Sequence, residues 1–139
     1  MRQLELLAER FAKSAEAFPD IRREALKKAG RELLPAVRRG IGGTGTKVRY
    51  WQELHMGSRG GYAAVRPKAK TFVQTKRTGK QYSVGHITNA IESGHKTRGG
   101  GGRVPGKHFY QGALPDAVRL QNAAAEEITR RLAETLGGR

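Results

Sequence analysis

The stretch VRYWQELHM, residues 48–56, marks the point where the hydrophobic pattern of this chain changes. Within it Val48, Tyr50, Leu54 and Met56 fall on one side of an extended chain, which predicts a half-buried strand. Before and well after this stretch, apolar residues recur instead at steps of three and four, the spacing of one helix face. The change of period predicts an α+β fold, in which N-terminal helices and a C-terminal helix pack on an antiparallel sheet.

The helical pattern predicts helices in two regions, residues 1–39 and 114–136. In the first region, Pro19 and Asp20 are expected to end one helix and to start a second. In the other, Pro115 and Asp116 occupy first-turn positions that these residues favour. The apolar line expected to face the core from this last helix is Leu114, Val118, Ala125, Ile128, Leu132 and Leu136.

Residues 47–84 are predicted to form about four antiparallel strands. After the strand at 48–56 come YAAVR at 62–66, TFVQT at 71–75 and QYSV at 81–84, and the turn KRTG at 76–79 joins the last two. No acidic residue occurs between Leu54 and Ile91, so the sequence predicts a protruding basic hairpin. Its candidate residues for contact with an anionic partner are Arg66, Lys68, Lys70, Lys76, Arg77 and Lys80.

A glycine-rich loop is predicted at residues 95–107, after a short helix at 86–94. Four consecutive glycines, residues 99–102, each lose much backbone freedom on ordering, so we expect the loop to be flexible in the isolated chain. Its basic residues are His95, Lys96, Arg98, Arg103 and Lys107.

Length and composition narrow the class of protein. The 139 residues suffice for one domain with one core. The absence of cysteine excludes disulfides and Cys-based zinc sites. No run approaches the roughly 18 consecutive apolar residues of a membrane span, and the N-terminus lacks the apolar region of a signal peptide. We therefore expect a soluble chain that is made in the cytoplasm and has no membrane contact.

The positive charge is concentrated in the middle of the chain. The formal net charge is +15, and residues 40–115 carry thirteen Lys or Arg but only two acidic residues, Glu53 and Glu92. Charge runs are often no more than solvated faces, yet an excess of this size favours a polyanionic partner.

Catalytic chemistry is not expected from these residues. The histidines at positions 55, 86, 95 and 108 lack the helical i,i+4 pairing of a zinc protease. A nuclease holds Mg²⁺ with carboxylates, and the basic region offers only Glu53 and Glu92. Glu92 could be paired with His86 or His95 as a general acid and base, but a polar residue beside a helix end more often has a structural role. The sequence predicts no enzyme, no metal site and no cofactor.

The order of elements and one bipartite motif resemble the bacteriophage head-to-tail neck and tail-completion proteins. In that family a hydrophobic-Glu-x-Gly element precedes a loop, and a Pro-rich approach to Phe-x-x-x-Ala-Leu follows it. The resemblance covers most of the chain in architecture, while its motifs occupy about residues 90–114. The matching residues here are Ile91, Glu92, Gly94, Pro105, Phe109, Ala113 and Leu114.

The resemblance implies a structural protein of the virion neck or tail. Such a protein forms a ring, commonly of six subunits, between the head connector or stopper and the tail tube or terminator proteins. The glycine-rich loop would be ordered by a neighbouring subunit, and the basic hairpin would face either genomic DNA in the channel or an acidic partner ring. Two alternatives remain open: a free basic nucleic-acid-binding protein, and a nuclease or toxin.

Overall fold

The computed structural model describes residues 2–42, 47–97 and 99–137, and its α+β class confirms the predicted one. The helices are α1 (Arg2–Ile41), α2 (Val84–Ser93) and α3 (Phe109–Thr135). The strands, in chain order, are β1 (Gln52–Met56), β2 (Ala63–Pro67), β3 (Phe72–Gln74), β4 (Gln81–Ser83), β5 (Gly94–Lys96) and β6 (Arg103–Pro105). Within the described residues, no helix combines the length and apolar content that a membrane span requires.

Helices α1 and α3 pack side by side and run in opposite directions. A Cβ atom built on Gly40 would lie 3.5 Å from the Cβ of Phe109 at the start of α3. Near the middle, Arg131 donates to Glu24 across 2.6 Å. A Cβ atom on Gly137, just after α3, would lie 3.1 Å from the guanidinium of Arg10. The pair therefore forms the long axis of the molecule, and α1 alone is about 60 Å long at 1.5 Å per residue.

The expectation of two N-terminal helices is wrong, because α1 runs without a break through Pro19 and Pro35. A proline inside a helix removes one backbone hydrogen bond and crowds the carbonyl four residues earlier, a cost of about 3 kcal/mol. Buried residues on both sides of Pro19, namely Ser14, Ile21 and Ala25, show that tertiary packing holds the helix across it.

The last helix also begins earlier than predicted, so Pro115 lies inside α3 rather than in its first turn. Its buried residues are Phe109, Ala113, Leu120 and Ala124. Leu114 and Val118, which were expected to face the core, are 60% and 49% exposed. The predicted apolar line is wrong there because the face against α1 carries small alanines, which allow close helix packing, while larger apolar residues lie on the outside.

The core lies where the end of α1 meets the start of α3. Its buried residues are Val37, Ile41, Val48, Phe109 and Ala113, surrounded by the half-buried Leu33, Trp51, Val65, Ile91 and Tyr110. Elements from five different parts of the chain meet at this point, so this end of the molecule, and not the N-terminal end of α1, anchors the strands.

The prediction of a single four-stranded sheet is wrong in detail. The described strands form three separate two-stranded antiparallel sheets, β1 with β2, β3 with β4, and β5 with β6. Residues 48–51 form a 3₁₀ turn, and the strand expected at 48–56 begins only at Gln52. After β2 the backbone N–H of Lys68 donates to the carbonyl of Trp51 at 2.8 Å, and Lys70 then adopts a left-handed φ of 53°. This turn separates the second hairpin from the first.

The region after β4 carries more regular structure than the sequence predicted. Ser83 caps α2 by accepting a hydrogen bond from the His86 N–H at 3.0 Å, so this helix starts two residues before the predicted boundary. Within the expected loop at 95–107, β5 pairs with β6 in the register His95 opposite Val104. The prediction that the whole of residues 95–107 is a loop was therefore wrong, because β5 and β6 pair on either side of the glycines and form a hairpin.

Candidate functional site

Two basic hairpins border a common groove on the surface of the protein. The groove has a volume of about 570 Å³. One side comes from the β3–β4 hairpin and the other from the β5–β6 hairpin, and α2 connects the two directly. Its lining residues are Thr78, Lys80, Tyr82, His95, Lys96, Thr97 and Val104. None of them is acidic, so the fold brings together two basic segments that the sequence analysis treated separately.

The turn of the β3–β4 hairpin is fixed by its own hydrogen bonds. The N–H of Thr75 donates to the carbonyl of Lys80, and the N–H of Gly79 donates to that of Thr75, both at 2.9 Å. The Gln74 amide donates to the Gly79 carbonyl at 3.0 Å. Lys76 and Arg77 lie at this tip and are exposed. The strands have three residues each, so the hairpin rises only about 10 Å.

The β5–β6 hairpin places like charges directly opposite each other. Lys96 and Arg103 are Cα partners in the antiparallel register, an arrangement that costs stability unless a counter-charge is present. The Arg103 guanidinium donates to the carbonyl of Ser93 at 3.1 Å, where it offsets the negative end of α2. Thr97 closes the turn, with its N–H 2.9 Å from the carbonyl of Gly102. Lys96, by contrast, lines the groove.

The remaining predicted contact residues do not line this groove. Arg66 lies in β2, where its guanidinium contacts the His55 ring at 3.0 Å. Lys68 and Lys70 lie in the connection between β2 and β3. Lys107 precedes α3, and its backbone N–H donates to the carbonyl of Ile91 at 2.9 Å. Arg98, the fifth predicted residue of the glycine-rich segment, lies outside the described residues.

The residues of the bipartite motif form a clasp between the end of α2 and the start of α3. The Glu92 carboxylate accepts a hydrogen bond from the backbone N–H of Tyr110 at 3.0 Å, and the Glu92 carbonyl accepts one from the N–H of His108 at 3.1 Å. His108, in the cap position, makes no side-chain capping bond. A carboxylate at a helix N-terminus satisfies free N–H groups and complements the helix dipole. Glu92 therefore caps α3 from eighteen residues away.

The clasp requires two chain segments to approach closely. Gly94 has a φ of 88°, and a Cβ atom there would lie 2.6 Å from the Val104 carbonyl oxygen. A Cβ atom on Gly106 would collide with the Glu92 carbonyl. Pro105 ends β6 between these contacts. Phe109 and Ala113 then enter the core and Ile91 packs against it, whereas Leu114 stays outside. Six of the seven motif residues thus have a structural role within the subunit.

A buried polar cluster beside the clasp was not anticipated from the sequence. Gln52 and Thr88 are fully buried. The Gln52 amide donates to the Thr88 hydroxyl at 3.4 Å, and the Tyr110 hydroxyl donates to the Gln52 side-chain oxygen. Burial, followed by the nearby Glu92 charge, raises the pKa of Tyr110 to about 12. A phenol of that pKa keeps its proton near pH 7 and can donate it to Gln52. The hydrogen bonds of this cluster therefore link β1, α2 and α3.

The histidines do not gather into a metal site. Over the described ranges, no group of three His, Asp or Glu side chains is placed to hold a metal ion. His86 stacks on Tyr82 with ring centroids 6.2 Å apart, and His95 lies in β5. The Glu92 carboxylate, considered earlier as a partner for either histidine, is instead directed at the start of α3.

Comparison with known proteins does not assign the chain to a family. No protein-family model, curated protein or solved structure matches the chain. The resemblance to the phage neck proteins therefore stays a prediction that rests on the motif residues themselves.

Proposed function

We propose that this chain is a structural subunit of a bacteriophage neck or tail-completion ring. The observation that carries the proposal is the large apolar surface that both long helices leave exposed. Among the described residues, these surfaces include Leu4 and Phe11 on α1, which are 58% and 56% exposed, and Leu114 on α3 at 60%. Exposed apolar surface of this kind is typical of a chain that associates with others.

The first surface is a ridge near the start of α1, made by Leu4, Leu7 and Phe11. The three residues follow one another at helical steps of three and four, on the face that Ser14 continues at the next step. Ser14 is buried, and farther along the helix Ala25 faces Leu120 and Ala124 of α3. The face that packs on α3 therefore continues beyond the end of α3, where no part of the chain within residues 2–42, 47–97 and 99–137 covers the ridge.

The second surface is an outer groove on α3, formed around Leu114, Pro115 and Val118. This groove has a volume of about 890 Å³ and lies near the opposite end of the α1–α3 pair. Ridge and groove thus occupy different places on one chain. A contact between different patches is heterologous, and repeated from copy to copy it closes into a ring when the rotation between copies allows. The occupant that we propose for the groove is the ridge of a second copy.

The experiment is a measurement of mass in solution for three purified variants. Replacing Leu4, Leu7 and Phe11 by Gln removes the ridge, and replacing Leu114 and Val118 by Gln removes the outer groove. Each variant alone should be monomeric. Mixed together they should form one-to-one dimers, because one intact ridge and one intact groove remain. Leu6→Gln is the matched control: Leu6 is 41% exposed but lies off the ridge, so its assembly should equal that of the unaltered chain.

A monomeric unaltered protein, or variants that fail to pair when mixed, would contradict the ring. The second candidate is a free nucleic-acid-binding protein, which the basic groove between the hairpins favours. That candidate predicts a monomer that binds DNA and is absent from assembled particles. Co-purification of the chain with phage tails distinguishes the neck protein from it directly.

A further inference from the structure

We propose that the groove between the β3–β4 and β5–β6 hairpins binds the phosphodiester backbone of nucleic acid without reading its sequence. The site belongs to one subunit and does not depend on the ring. It takes one lysine from each hairpin, Lys80 and Lys96, while the hydroxyls of Thr78 and Thr97 beside them bond within their own hairpins.

The charges around the groove are not balanced within the described part of the chain. Ion pairs in this part of the chain include Arg119 with Asp116, Arg130 with Glu134 and Arg131 with Glu24, all on the helices. The lysines of the groove take part in none of them. Lys96 stands opposite Arg103 in the β5–β6 register, but the Arg103 guanidinium bonds to the Ser93 carbonyl at the end of α2, so Lys96 and Lys80 are the cations that line the groove. A bound anion would supply the counter-charge for these two lysines, whereas salt only screens them.

The chemistry of the lining favours phosphate over a protein partner. Lysine ammonium groups are among the usual donors to phosphate oxygens. Lysine is depleted in the cores of protein–protein interfaces, which are mostly apolar and aromatic. Five of the seven lining residues here are Lys, Thr or His, and the other two are Val104 and Tyr82. The exposed Lys76 and Arg77 at the hairpin tip extend the same positive surface along a backbone.

None of the residues that line the groove is Arg, Asn or Gln, side chains that often bind base edges through paired hydrogen bonds. Specific readout requires side chains placed to contact base edges, whereas the lysines present compact charges. Binding should therefore be non-specific and strongly dependent on salt. Contact of this kind allows DNA to slide.

The test measures binding of the full chain to a short labelled DNA duplex of mixed sequence over a series of salt concentrations. Lys80→Gln with Lys96→Gln should weaken binding by about tenfold and reduce the slope of log K against log salt by about 1.8, since each lost phosphate contact removes about 0.9. Lys13→Gln with Lys28→Gln is the matched control. It removes the same charge from exposed positions of α1 and should change affinity less than twofold.

A second pair, Lys80→Arg with Lys96→Arg, keeps the charge and should keep the affinity, which separates charge loss from misfolding. The proposal would be overturned if the Lys80→Gln/Lys96→Gln variant and the Lys13→Gln/Lys28→Gln variant bound DNA equally weakly. It would also be overturned if the unaltered chain did not bind the duplex. Equally tight binding to polyglutamate that depends on the same two lysines would also overturn it and assign the groove to an acidic protein. Assembly is followed by mass in the same samples. If the Lys80→Gln/Lys96→Gln variant no longer binds DNA but still assembles into the ring, the proposal is supported independently of the ring.

Discussion

Tyr110 links the core to the capped start of α3, since its hydroxyl donates to Gln52 and its backbone N–H donates to Glu92. Two residues that are far apart in the chain thereby hold one helix terminus. Each is polar and at least partly buried, and each has a hydrogen-bond partner, which is the condition for polar groups to be tolerated in a core. The start of α3 is therefore set by tertiary contacts and not by a local capping residue.

Stability at high pH should depend on Tyr110. Because burial raises its pKa from 10.0 to about 12, the stabilisation by the neutral phenol is complete below pH 10 and is lost as the pH rises from 10 to 12. A rise of this size corresponds to at most about 3 kcal/mol, and since the ring is only half-buried we expect about 1–2 kcal/mol. Denaturant unfolding at several pH values measures this loss.

Tyr110→Phe provides the comparison. It should lower the free energy of unfolding by about 1–3 kcal/mol at pH 7, because the buried oxygen of Gln52 loses its donor. Between pH 10 and 12 it should lose less stability than the unaltered protein. Tyr50→Phe, at an exposed position, should match the unaltered protein throughout. If the free energy of unfolding fell with pH in the same way for Tyr110→Phe and for the unaltered chain, the phenol of Tyr110 would not be the cause of the loss at high pH.

At the scale of elements, the clasp depends on glycine where α2 passes into β5. Gly94→Ala should lower the free energy of unfolding by about 3 kcal/mol or more, because its φ of 88° and the nearby Val104 oxygen leave no room for a side chain. Gly112→Ala is the control. It lies inside α3 with open space around it, so it should stabilise the protein by about 0.5–1 kcal/mol. Thermal unfolding of both variants measures these changes in stability. If Gly94→Ala and Gly112→Ala changed the stability equally, the close approach proposed for the clasp would be contradicted.

The period of the hydrophobic pattern was sufficient to predict the class of fold and helical structure in the regions of α1 and α3, although Pro19 led to a prediction of two helices where α1 is one. The boundaries were not predictable in the same way. The cap of α3 comes from Glu92, eighteen residues before Tyr110, so no local signal marks the start of α3 at Phe109. Leu114 and Val118 match a core-facing line by their apolar character and helical spacing, yet both are exposed, and spacing alone does not tell which face of a helix packs on its neighbour.

The candidate groove was predictable in its parts but not as a whole. Charge alone marked Lys80 as a candidate for contact with an anionic partner, and Lys96 as one of the basic residues of the glycine-rich loop expected to meet a neighbouring subunit. Their meeting in one groove depends on α2 connecting the two hairpins, and on a β5–β6 pairing that the four glycines concealed. Propensity argues against strands beside Gly99–Gly102, yet backbone pairing supplies the hydrogen bonds that propensity does not count.

At the scale of the whole molecule, the core is small and lies at one end. It joins residues from the first third of the chain, such as Val37 and Ile41, to residues of the last third, such as Phe109 and Ala113. The hairpin tip at Lys76 and Arg77 lies between these two parts in sequence but outside the core in space. The two ends of the chain are therefore held together by the α1–α3 contact, independently of the polypeptide that connects them.

This antiparallel pairing implies that the protein can survive as two pieces. A site for a sequence-specific protease, inserted between Arg77 and Thr78, would allow the exposed tip to be cut after folding. The fragments 1–77 and 78–139 should elute together from a sizing column, because α1 belongs to one and α3 to the other. Fragments that separated in native buffer would contradict this expectation. Fragments that stay paired and re-form the native spectrum after separate expression and mixing would make the subunit a split protein, with its break at the tip of the β3–β4 hairpin.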